Sequence, residues 1–176
     1  MKEKKMKKTL LFLAIALSVC MARADFDYVA QIAAWGDGQI PSCRNATIYG
    51  LRVSLIHGDC RRIYGLDVGF SGRARERAYG VQVAAGFNHA NAAAGLQLGI
   101  VNYVENEFAG LQVGGWNAVR DGAGMQLGVV NTAGHFAGFQ CGLVNSAENL
   151  DGLQLGLINV VEDQELSVLP ILNVGF

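Results

Sequence analysis

The chain has 176 residues, a formal charge of −1, 23 glycines and only two prolines. That is about one domain's worth of chain. Its basic residues are concentrated at the extreme N-terminus, so no basic stripe remains for nucleic acid, and no metal spacing such as CxxC or HExxH occurs.

The first 24 residues read as an export signal. Lys2, Lys4, Lys5, Lys7 and Lys8 form a basic head, Leu10 to Val19 an apolar stretch, and Ala22-Arg23-Ala24 a small-residue cleavage site, so the mature chain is expected to begin at Asp25. The apolar run is too short for a transmembrane anchor, which needs about 20 residues. Cys20 sits in LSVC, a poor lipidation box because Val19 precedes it; lipidation is the alternative and would give a surface anchor. The leader holds six of the 14 basic residues and one of the 15 acidic ones, which leaves eight against 14, a charge of −6.

A first strand is expected around Tyr28 to Trp35. From Gly50 the chain repeats itself, with glycines at 50, 65, 80, 95, 110, 124, 138 and 152 that open octapeptides such as GLQLGIVN at Gly95, GMQLGVVN at Gly124 and GLQLGLIN at Gly152. A period of 14 or 15 residues is one strand plus one turn, which makes the chain all-β. Within each copy Leu96, Leu98 and Ile100 point one way, and Gly95, Gln97 and Gly99 the other. Glycine at a fixed slot of every repeat argues against helix, where each costs about 1 kcal/mol relative to alanine. Between copies lie turn signals such as Glu105-Asn106 and Asp121-Gly122.

Ser167 to Phe176 alternates up to a terminal aromatic and supplies a last strand, for ten in all. An even count allows an antiparallel meander to close as a small outer-membrane-type β-barrel, so the expected organisation is a signal peptide over 1–24 and one β-repeat domain over 25–176, with eight repeats from about 50 to 166 and a closing strand over 167–176. The competing architecture is a β-solenoid. There each repeat is one coil, with Leu96, Leu111, Met125, Phe139 and Leu153 stacked inside and Asn102, Asn117, Asn131, Asn145 and Asn159 forming an amide ladder. Two features count against the barrel. Its outward apolar residues span roughly 13 to 20 Å of a band of about 25 Å, and Pro170 would remove a ladder hydrogen bond unless it lay at a bulge or strand start.

Three groups of residues are candidate sites. Gln82, Gln97, Gln112, Gln126, Gln140 and Gln154 would line a polar lumen if the leucines face lipid, with Arg52 and Asp67 in the equivalent slots of earlier copies. Arg61, Arg62, Arg73, Arg75 and Arg77 cluster around successive turns and could contact lipid phosphates or an acidic partner. Cys43 and Cys60 are candidates for a disulfide in an oxidising compartment, whereas Cys141 occupies a slot held elsewhere by Leu or Val. His57, His89 and His135 lie at or near turns, and no GxSxG motif places a serine on a strained turn. No catalytic, metal-binding or cofactor-binding residue is assigned, and no cofactor is expected.

The GLQLGLIN-type octapeptides, the variant GLRVSLIHG followed by GLDVGFSG, and the ending LPILNVGF resemble a family of bacterial exported surface repeat proteins found in spirochaetes and other Gram-negative groups. The similarity covers about Gln31 to Phe176. It implies an outer-membrane or cell-surface location and no established activity. The copy at Gly80, GVQVAAGFN, departs from the pattern by one extra residue before Asn88. The reading is a non-enzymatic envelope protein with a structural or interaction role and outer-membrane lipid as its expected partner. A small pore and a surface β-solenoid adhesin are the alternatives.

Overall fold

Identical residues at identical slots are brought side by side when successive copies stack in parallel, and that is the arrangement the chain adopts. In the computed structural model, which describes residues 27–33, 39–40, 47–164 and 168–176, six strands form one sheet. They are β1 (Asp27–Ala33), β2 (Gln39–Ile40), β3 (Thr47–Ser54), β4 (Gly58–Cys141), β5 (Val144–Val161) and β6 (Val168–Gly175). Strand β4 runs for 84 residues without a break because it coils on itself. Strand β3 pairs with it in parallel from Thr47↔Arg62 to Ser54↔Gly69, and β4 pairs with β5 in parallel from Val130↔Val144 to Cys141↔Leu155.

The fold is thus an all-β parallel solenoid of about seven turns, and the expected ten-stranded barrel is not formed. Period-two alternation is common to hairpins and coils, so it did not separate them. A coil has no parity rule, and a turn of 14 or 15 residues differs only in perimeter. The stack moves from one period to the other between Asn117, which lies 15 residues from its rung partner Asn102, and Gly124, which lies 14 from Gly110. The extra residue of the Gly80 copy is absorbed before Asn88, which still donates to Asn102 Oδ1 at 2.8 Å.

The eight repeat glycines hold φ between 117° and 149°, a region closed to most side chains. At Gly110 a Cβ would also run into the carbonyl of Gly95 one turn below, so space as well as conformation requires glycine in this column.

At one end β1 pairs in parallel with β3 and carries β2 as an antiparallel neighbour. At the other, β6 lies antiparallel on β5 with Gln154↔Asn173, and the register shifts between Gly156 and Asn159. Pro170 sits in this edge strand beside that irregularity, followed by Ile171 at φ 71°, so its missing N–H falls where pairing is already interrupted. The leader, Cys20 and Cys43 lie outside the described residues.

The core has two unlike halves. One is apolar and includes Ile48, Ile63, Val104, Phe108, Phe136 and Leu150. Gly122 leaves the room that the Phe136 ring occupies. The other half is made of amides: the Gln and Asn columns are buried to 3% exposure or less. The leucine column expected inside a solenoid is instead outside, with Leu51, Leu66 and Met125 more than 40% exposed and Leu96, Leu111, Phe139 and Leu153 half-buried. The physical reason is space. Inward-facing Gly99 already lies against Asn88, Asn102 and the Ala84 carbonyl, leaving no volume for a second large residue.

Candidate functional site

The Gln column is a single directed chain of hydrogen bonds. Gln154 donates to Gln140 at 2.8 Å, Gln140 to Gln126 at 2.7 Å, Gln126 to Gln112, Gln112 to Gln97 and Gln97 to Gln82. Gln82 then donates to Asp67 Oδ2 at 3.3 Å. Asp67 also accepts two bonds from Arg52, through Nε at 2.7 Å and through Nη2. The six glutamines thus occupy the inside of the coil, as their alternation with leucine indicates, and they fill it. Each amide meets the next, and a lumen tied to the barrel has no counterpart in this core.

Arg52 and Asp67 are both buried, at 0% and 2% exposure. Burial opposes the guanidinium charge, but Asp67, with Cys60 and Asp59 beside it, more than offsets that and raises the Arg52 pKa. Arg52 Nη1 donates further to Cys60 Sγ and to the Arg73 carbonyl, each at 2.9 Å. Burial pushes the Cys60 thiol up to about 11, which makes it a poor nucleophile. Its candidate disulfide partner, Cys43, lies outside the described residues.

The Asn ladder runs with opposite polarity. Asn88, Asn102, Asn117, Asn131 and Asn145 each donate at 2.8 Å to the asparagine of the following turn, ending at Asn159. Each also donates to a backbone carbonyl of that following turn, as Asn102 does to Val113 at 2.9 Å. Both amide hydrogens are therefore used, which is the condition for burying such a group.

The five arginines do not converge on one site. Arg61 and Arg62 share Glu76, and Arg75 pairs with Asp59. Arg73 and Arg77 are exposed and make no ion pair among the described residues. Arg62 and Arg77 line a groove of about 690 Å³ with Tyr64, Glu107, Arg120 and Asp121, a lining of mixed sign. His89 meets Glu105 at 2.8 Å, His57 is half-buried against Ser71 at 3.1 Å, and His135 is exposed. Among the described residues no group of three or more His, Cys, Asp or Glu could hold a metal ion.

Sequence reasoning missed a tyrosine stack. Tyr49, Tyr64 and Tyr79 lie one per turn outside the glycine column, with ring centroids 5.0 and 5.3 Å apart and planes within 12° of parallel. The signal was present as a Tyr-Gly pair at 49–50, 64–65 and 79–80.

The dominant surface feature is apolar. Two outward columns, Leu51 to Leu153 and Val53 to Leu155, contain only Leu, Val, Met, Phe and Cys, and β6 continues them with Val174 and Leu172. A third runs along the adjoining corner, where Phe70 is 55%, Ile100 64%, Leu143 52% and Leu157 67% exposed. Turns about 4.8 Å apart and outward residues about 6.6 Å apart give a face of about 35 by 15 Å. That is on the order of 500 Å² in plan, within the range where an exposed apolar patch on a monomer marks an interaction site.

A scan against protein-family models and searches of curated proteins and solved structures return no match.

Proposed function

We propose that the chain is a non-enzymatic envelope protein of a Gram-negative bacterium with a structural role, exported through its leader and held in an assembly by its apolar face. The observation that carries this reading is the inverted solenoid: amides satisfy one another inside while every residue of two outward columns is apolar. Apolar surface left in water forgoes about 25 cal/mol per Å², so a whole face of it is stabilising only when covered. The basic, apolar and small-residue order of residues 2–24 and the resemblance to exported surface repeat proteins support the location.

Fractionation of cells that express the full chain tests it. The native protein is expected in the envelope fraction. A variant with Val83→Glu, Leu98→Glu and Val113→Glu, three adjacent outward residues, is expected in the soluble fraction with an unchanged far-ultraviolet spectrum. Equal partitioning of the two proteins would sink the reading.

A further inference from the structure

Across the glycine corner from the apolar columns lies a polar face, and one turn of it carries no bulk. Residues 92–94 are three consecutive alanines. Ala94 continues the column of Tyr49, Tyr64 and Tyr79, because Gly95 packs on the Gly80 carbonyl, and Ala92 continues that of Arg62 and Arg77. The tyrosine stack therefore stops one ring short. Tyr64 covers one face of the Tyr79 ring at 5.3 Å, and the other face opens on a cavity of about 250 Å³ floored by Ala92 and Ala94 and bounded beyond by Glu107 and Ala109. Ala92 and Glu107 also line the groove of about 690 Å³, so cavity and groove are continuous.

The polar groups around this gap come as donor and acceptor pairs. Of the charged residues lining the groove, Arg62 pairs with Glu76 and Arg120 lies 3.9 Å from Asp121. That leaves Arg77 and Glu107, one turn to either side of Ala92, exposed and without an ion pair among the described residues. Beside them Asn106 Nδ2 donates to Asn91 Oδ1 at 2.7 Å, which leaves a donor on Asn91 and an acceptor on Asn106.

We infer that this gap binds one pyranose ring of a neutral oligosaccharide, seated on Tyr79 where the fourth ring of the stack would lie. A pyranose presents C–H groups on a face and hydroxyls around its edge. The C–H face packs on the electron-rich tyrosine ring, and each hydroxyl both donates and accepts, so it takes a hydrogen bond from Arg77 or Asn91 and gives one to Glu107 or Asn106. Charge selects the class. An anion would face Glu107 and Asp121, a cation Arg62 and Arg77, and a purely apolar ring would desolvate both charged walls without pairing either. A ring set at the 5.0 to 5.3 Å spacing of the tyrosines lies over the Ala94 methyl. The groove crosses five turns, about 19 Å, so neighbouring sugar units continue along it.

The experiment is calorimetric titration of the purified full-length protein, kept in a polyoxyethylene detergent that carries no sugar, with maltohexaose, cellohexaose and chitohexaose. At least one is expected to bind. Tyr79→Ala is expected to weaken that binding about tenfold or more, and Glu107→Ala about fivefold. Ala94→Trp, which fills the gap and removes no polar group, is expected to abolish it, whereas Tyr49→Ala at the far end of the stack leaves it unchanged. Circular dichroism of each variant separates a lost site from a lost fold. A native protein that binds none of the three sugars would overturn the proposal. Binding that survives both Tyr79→Ala and Ala94→Trp would place the sugar elsewhere and overturn the site, and tighter binding of polygalacturonate than of any neutral sugar would overturn the class. None of these results bears on how the protein fractionates, so this site and the apolar face fail separately.

Discussion

The first three repeats and the last five solve the same problem with different chemistry. In the early copies vertical neighbours are an ion pair, Arg52 with Asp67, and a tyrosine stack; in the later ones the same slots hold glutamine over glutamine and, from Ala94 to Ala137, alanine over alanine, with Asp151 in the last copy. The backbone is indifferent, since the glycine column keeps φ between 117° and 149° in both regions. What each buried slot requires is a partner one turn away. A neutral amide meets that with little desolvation, whereas a buried ion pair must recover a larger one.

The comparison can be broken most severely at its charged end. Arg52→Ala would leave the Asp67 carboxylate buried without its main partner, and about 3–5 kcal/mol of stability is expected to be lost in urea denaturation. In the amide region Gln126→Leu removes the donor to Gln112 and the acceptor of Gln140, and orphaning two buried groups is expected to cost about 2–4 kcal/mol. The sharpening experiment makes the early turns resemble the late ones. Arg52→Gln together with Asp67→Gln is expected to stay within about 2 kcal/mol of native, because replacing both members of a buried pair spares the orphaned charge. A loss as large as that of Arg52→Ala would mean that the ion pair is specifically required.

The smallest effect is a pH dependence confined to the early turns. Burial lowers the pKa of His57 below its ordinary 6.5, so protons bind more readily to the unfolded chain. The corresponding stability is present above the unfolded pKa and lost as pH falls through the lower folded value. A His57→Gln variant is expected to lose less stability than native between pH 7 and pH 5, as urea midpoints would show.

The period, the all-β class and the division of Leu96 from Gln97 were legible in the sequence. So was the Asn102 to Asn159 ladder. Direction of stacking was not, because a strand alternates identically beside a parallel or an antiparallel neighbour; the shift from 15 to 14 residues, which a coil accepts without a parity rule, was the feature that favoured the solenoid. The facing also misled once: leucines fit the inside of a solenoid by hydrophobicity alone, but Gly99 packed against two asparagines shows how thin that half of the core is. The Arg52 and Asp67 slots were visible as departures from glutamine, whereas their pairing 15 residues apart required the stacked register.

The opposed polarity of the two amide ladders bears on how long such a shaft can be. A column of aligned side-chain amides is a row of small dipoles, and by itself it would build a dipole moment along the shaft that grows with every rung. Here the glutamines point their N–H groups toward the first turn and the asparagines toward the last, so each added rung contributes two dipoles of opposite sense. The axial moment largely cancels rung by rung, and a longer shaft of the same repeat would carry little more side-chain dipole than a short one.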